Sequence, residues 1–180
     1  MESEPCDLSH LTPAARAAAL LPDDERIRRI RADRWIGYPR AREALDRLDT
    51  LLHGPPKQRM PNLLIVGPTN NGKSMIVEKF RRSRAPASGP SSERETLPVV
   101  VVQMPSEPSI SRFYALLLAG MGTPLRPRAR VVELEQLALR LMRAVGARML
   151  VVDELHNILA GKADVRREFL NLIRVPPRLL

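Results

Sequence analysis

Eight consecutive residues, Gly67-Pro-Thr-Asn-Asn-Gly-Lys-Ser74, carry glycine, lysine and a hydroxyl at the spacing G-x-x-x-x-G-K-[ST]. That is the spacing of a phosphate-binding loop. Gly67 and Gly72 let the backbone curl, so that successive N–H groups and a helix N-terminus can face an anion. Lys73 can bring a positive charge to the β- and γ-phosphates, and the Ser74 hydroxyl can join the shell of a Mg²⁺ ion. Pro68, Thr69, Asn70 and Asn71 fill the variable positions, where the backbone matters more than the side chains. Met75 opens the run that follows and is counted with the nucleotide-binding residues.

A second candidate is Arg148-Met-Leu-Val-Val-Asp-Glu154, an apolar run ending in two carboxylates. A strand there carries Asp153 to the sheet edge beside the phosphate loop, where it can hold Mg²⁺. Glu154 is then placed to polarise an attacking water as general base. His156 and Asn157 follow closely; they read as helix-surface or core groups, with γ-phosphate sensing as the alternative.

These residues need elements to position them. The loop follows the apolar run 62–66, expected as a strand, and precedes a helix running to about Arg84. Val99-Val-Val-Val-Gln103 is expected as a β-branched strand and Met149–Val152 as a third strand. Apolar spacing predicts helices over 41–53, 109–119, 131–145 and 164–174, with two shorter ones over 13–21 and from Pro22 onward. Ile110, Phe113, Leu116 and Leu117 are expected inward on the helix after the second strand, and Phe169, Leu170 and Ile173 on the last. A loop rich in proline, serine and glycine at 85–96 and another loop at 120–128 separate these elements. Alternation of strands and helices predicts an α/β fold with a parallel sheet covered on both faces. The expected organisation is an arm and helices over 1–53, a partial nucleotide-binding core over 54–174, and a tail over 175–180.

The chain has 180 residues and 44% hydrophobic residues, enough for one α/β domain with its own core. Its net charge is +9, with arginine far outnumbering lysine, which favours polyanion partners such as nucleic acid. Arg26, Arg28, Arg29, Arg31 and Arg34 form the densest basic stripe. The single cysteine excludes a disulfide framework. The absence of a long apolar run and of a signal-like N-terminus leads to an expectation of a cytoplasmic protein without a membrane span.

Taken together, several segments resemble the TniB family. They are the arm residues Leu8, His10 and Leu11, Asp24-Glu-Arg-Ile-Arg-Arg-Ile-Arg31, Trp35-Ile-Gly-Tyr-Pro39, the phosphate loop, Leu150-Val-Val-Asp-Glu-Leu-His-Asn157 and Arg167-Glu-Phe-Leu-Asn-Leu-Ile-Arg174. More broadly, the chain is similar to AAA+ transposition regulators related to TnsC and to IstB helper ATPases. The resemblance implies a P-loop NTPase of AAA+ type that binds ATP and Mg²⁺ and also binds DNA non-specifically. It implies target-site selection, activation of a transposase of the DDE class, and assembly as a homo-oligomer. It also implies that Trp35, Ile36 and Tyr38 lie at the adenine, and that Lys73 and Glu154 act in catalysis while Ser74 and Asp153 hold the metal. Proteins of this class continue with a strand that inserts between the phosphate-loop strand and the strand ending at Asp153, followed by a helical lid. Here Val175-Pro-Pro-Arg-Leu-Leu180 stands instead, and consecutive prolines do not begin a central strand. The expectation is therefore a C-terminally truncated member that does not turn over ATP alone. The alternatives are an inactive remnant that binds only DNA or a full-length partner, and a helicase-loader-like AAA+ ATPase.

Overall fold

Val99–Gln103 (β1) and Met149–Asp153 (β2) pair in parallel, with Val99 opposite Met149 and Gln103 opposite Asp153. Valine-rich runs suit this pairing because branched side chains pack well on a pleated surface. The computed structural model describes residues 7–32, 34–55, 57, 60–84, 96–123 and 129–174. The tail expected over 175–180 and most of the loops expected over 85–96 and 120–128 lie outside the described residues, as does Cys6. Contacts divide the chain into two units, Met1–Ile36 and Gly37–Leu180.

The first unit contains helices α1 (Pro13–Ala19) and α2 (Asp23–Arg31). Thr12 caps α1, its side chain accepting a hydrogen bond from the Ala15 N–H at 3.3 Å. α2 opens with Asp23, Asp24 and Glu25 and closes with Arg28, Arg29 and Arg31, a charge order that complements the helix dipole. Neither helix buries a residue, and Leu20 and Ile30 are about three-quarters exposed at 74% and 75%.

In the second unit, α3 (Pro39–His53) buries Ala41, Leu48 and Leu52, and α4 (Lys73–Ser83) buries Ile76 and Phe80. The two helices pack together, joined by an ion pair between Arg84 and Asp49, with the Arg84 guanidinium 5.8 Å from the centre of the Phe80 ring. β1 leads into α5 (Ile110–Gly120) and α6 (Val131–Ala144), and these form the crossover that a parallel pair requires. α6 ends on Gly146 at φ 65°; the N–H of Ala147 reaches Met142 O at 2.8 Å and that of Gly146 reaches Arg143 O at 3.1 Å. This left-handed stop turns the chain into β2 at a position where only glycine is unstrained. A 3₁₀ turn (Leu155–Ala160) and α7 (Ala163–Arg174) follow.

The core gathers Val100, Val102 and Met104 from β1 and its end, Phe113, Tyr114, Leu117 and Leu118 from α5, and Leu134, Ala138 and Met142 from α6, together with Ile158 and Phe169. Phe113 meets Phe169 edge to face at 5.7 Å, which seats α7 on α5. Val99 points to the other face of the sheet and is buried as well, and α4 contacts β1. The protein is thus α/β, with a small parallel sheet flanked by helices.

The strand expected over 62–66 is not formed, and among the described residues the sheet has two strands. Among the described residues the segment takes no ladder partner; Leu64 is 69% exposed and Val66 is 82% exposed. A strand exists only where another backbone takes up its N–H and C=O groups, so apolar character alone does not make one. Two side-chain expectations also change. Leu116 is 42% exposed because the buried stripe of α5 runs through 113, 114, 117 and 118, and Leu170 is 62% exposed although its neighbour Phe169 is fully buried.

Candidate functional site

The phosphate-loop segment ends where α4 begins. Gly72 is the residue before α4, at φ 74°, and its carbonyl accepts the first helical bond from Ile76 N–H at 3.0 Å. A left-handed residue directly before a helix leaves the first N–H groups of that helix facing outward, and glycine takes the conformation without strain. Asn70 is left-handed as well, at φ 61°, a conformation asparagine tolerates better than most residues.

Lys73 lies across its own loop. Its ammonium donates to the carbonyl oxygens of Gly67 at 2.9 Å and Pro68 at 2.8 Å. The Asn71 side chain leans back toward Gly67, where an added Cβ would sit 3.3 Å from its Nδ2. Pro68, Thr69, Asn70, Asn71, Ser74 and Met75 are exposed. The Tyr38 hydroxyl donates to the Asn71 carbonyl at 3.3 Å. Trp35 and Ile36 belong to the first unit, Trp35 half-buried and Ile36 exposed.

The second motif meets the first. The Ser74 hydroxyl donates to Asp153 Oδ2 at 2.7 Å, across 79 positions of sequence. The other carboxylate oxygen, Oδ1, accepts from the Glu154 N–H at 2.8 Å. Asp153 is therefore held at both oxygens, at the C-terminal end of β2 and opposite Gln103. Open α/β sheets characteristically bind ligands outside the carboxyl ends of their strands.

Glu154 sits in a left-handed conformation, φ 54° and ψ 35°, between β2 and the 3₁₀ turn. Such strain in a residue with a Cβ is uncommon and clusters at functional sites. Its carboxylate lies 3.2 Å from His156 Nδ1. Asn157 donates from Nδ2 to the Met104 carbonyl at 3.0 Å, which ties the 3₁₀ turn to the end of β1. Asn157 is therefore a satisfied structural group, as the sequence favoured, and His156 is a surface residue whose ring contacts Glu154. No cluster of three or more His, Cys, Asp or Glu residues occurs among the described residues, so a cation here would need oxygens from a ligand as well.

Sequence reasoning did not single out Gln103, which the strand register sets beside Asp153, nor the hydroxyl contact of Tyr38. A polar residue closing a valine run was a legible signal for the first. Nothing in the sequence signals the second, because it joins positions 33 apart. No helix among the described residues is long and apolar enough to cross a membrane.

The family model described as Bacterial TniB protein matches residues 26–176. No curated protein matches the chain.

Proposed function

Because the chain belongs to the TniB family, and is thus transposition-related, we propose that it is an ATP-binding AAA+ regulator of DNA transposition. In this reading it takes part in target selection and transposase activation. The observation that carries the nucleotide reading is the 2.7 Å contact between the Ser74 hydroxyl and Asp153. It brings the last residue of the phosphate loop to the first carboxylate of the distant acidic pair. Adjacent oxygens around a six-coordinate Mg²⁺ lie about 3 Å apart, given metal–oxygen bonds of about 2.1 Å. Ser74 and Asp153 fit that separation and the ion's preference for hard oxygen donors. Ser74 and Asp153 would hold the ion, which would supply neutralisation of phosphate charge. Lys73 would exchange the Gly67 and Pro68 carbonyls for phosphate oxygens. Glu154 lies next to Asp153 in the chain, where a general base for water is required. ATP and Mg²⁺ are the cofactors of this reading.

For DNA, the support is the exposure of Arg26, Arg28, Arg29, Arg31 and Arg34 in and after α2, on a chain of net charge +9. Binding there would be non-specific and would weaken steeply with salt, as counterions released from phosphates cost less to release at low salt. A DDE-class transposase and further copies of the chain complete the proposed partners.

The test is the affinity of ATP with Mg²⁺ for the parent and for Lys73→Ala. Removing the one lysine of the loop is expected to weaken binding by at least tenfold, since charged hydrogen bonds to phosphate contribute about 1.5–3 kcal/mol each. Equal, measurable affinity in both proteins would refute the nucleotide reading. For DNA, the affinity of a random duplex is measured at rising salt; a flat dependence would remove the arginine stripe from the proposal.

A further inference from the structure

We propose that Tyr38 is a positioning residue of the phosphate loop, acting through its hydroxyl on the backbone and not through its ring on a base. The inference rests on the nucleotide reading above. The Tyr38 hydroxyl donates to the Asn71 carbonyl at 3.3 Å, and an added Cβ at Gly72 would meet that same hydroxyl at 3.8 Å. The hydroxyl therefore lies against the peptide that joins Asn71 to Gly72.

A peptide is planar, and no described one in this chain is cis. In a trans peptide the carbonyl and the N–H point in opposite directions. Holding the Asn71 carbonyl on the tyrosine side turns the Gly72 N–H to the opposite side. An anion cradle works only when its N–H groups face one way and its carbonyls another. Gly72, at φ 74°, borders this peptide on one side, and a glycine there restricts rotation of the unit less than any other residue would.

The two halves of the loop are thus fixed differently. Upstream, the Gly67 and Pro68 carbonyls are gathered by Lys73, a contact that phosphate would displace. Downstream, the Asn71 carbonyl is held from outside by a residue that a ligand need not displace. Tyr38 is also the residue that immediately precedes α3, so its backbone is anchored by a helix with three buried side chains. A rigid element thereby reaches over to set the direction of one loop peptide.

The experiment compares ATP with inorganic tripolyphosphate, which has the phosphates and no base. Each is titrated with Mg²⁺ into the parent, Tyr38→Phe and Lys73→Ala, and each variant is checked for an unchanged circular dichroism spectrum. Phenylalanine keeps the ring and loses only the hydroxyl. Tyr38→Phe is expected to weaken both ligands by the same factor, about threefold to tenfold, the range for one neutral hydrogen bond. Parent-like affinity for both ligands overturns the inference. So does a loss confined to ATP, which would place Tyr38 on the base. Lys73→Ala keeps the two levels apart: if it binds tripolyphosphate as the parent does, the nucleotide reading fails and this inference fails with it. If Lys73→Ala loses both ligands and Tyr38→Phe loses neither, the nucleotide reading stands and only the role of Tyr38 is refuted.

Discussion

Val99-Val-Val-Val-Gln103 and Asn62-Leu-Leu-Ile-Val66 are apolar runs of the same length, and they reach opposite states. The first is a strand, with Val99, Val100 and Val102 each at most 4% exposed. The second has no ladder partner among the described residues and leaves Leu64 and Val66 largely in solvent. β1 is the richer in β-branched residues, but composition alone does not make a strand. β1 finds β2 on one side, α5 and α6 over one face and α4 near the other, all supplied by the chain between 73 and 153. Among the described residues, the run 62–66 receives no comparable cover, although Ser74 beyond it reaches Asp153. Cohesion in this molecule is therefore concentrated around β1, while the candidate site stands on a thinly supported segment.

The covered region should fail most severely when its centre is emptied. Phe169→Ala removes a fully buried ring that packs against Phe113. A loss of about 3–5 kcal/mol in unfolding free energy is expected by chemical denaturation. Leu170→Ser, one residue along and 62% exposed, should change stability by no more than about 0.5 kcal/mol. Comparable losses in both variants would show that α7 is covered on both faces.

The two apolar runs can be set against each other directly. Val100→Ala in β1 should cost about 2 kcal/mol, the order of burying a valine side chain. Val66→Ala should stay within about 0.5 kcal/mol, because its side chain is 82% exposed. A large effect at Val66 would mean that a neighbour covers 62–66 in solution, and the contrast would collapse.

A smaller effect belongs to the helix that follows the loop. Glu78 accepts hydrogen bonds from Arg81 and Arg82, and these hold its carboxyl down from 4.5 to about 2. A carboxyl whose pKa is lower in the folded state adds stability above its unfolded value and loses it as pH falls. The gap between the parent and Glu78→Gln should thus be full at pH 7 and close between pH 4.5 and about 2. Its size is expected to be at most about 1 kcal/mol, since the pairs are partly exposed and screened by solvent. A gap that persists unchanged at pH 2 would contradict this account.

The smallest expected signal is turnover itself. Hydrolysis needs water and phosphate held to about half an ångström. The segment leading into the loop lacks the ladder that would fix it so closely. Steady-state ATP hydrolysis by the parent is therefore expected to match that of Glu154→Gln, with and without DNA. Turnover clearly above that control would show that 62–66 is better held than its pairing suggests.

Much of the fold was legible in the sequence, because periodicity and end signals act locally. The valine run over 99–103, the helix expected over 131–145 and the Gly72-Lys73-Ser74 junction into a helix each follow from neighbouring residues. The motif spacing also indicated that Ser74 and Asp153 serve one site, and the fold brings them together. Tertiary structure alone decided the rest. It left 62–66 unpaired, because a strand needs a second backbone and no local pattern supplies one. It chose Phe169 over Leu170 for the core, since adjacent helix positions point about 100° apart and only the packing partner says which faces inward. It also set the Tyr38 hydroxyl on the Asn71 carbonyl, a contact between distant positions that becomes possible only once α3 and the loop are folded beside each other.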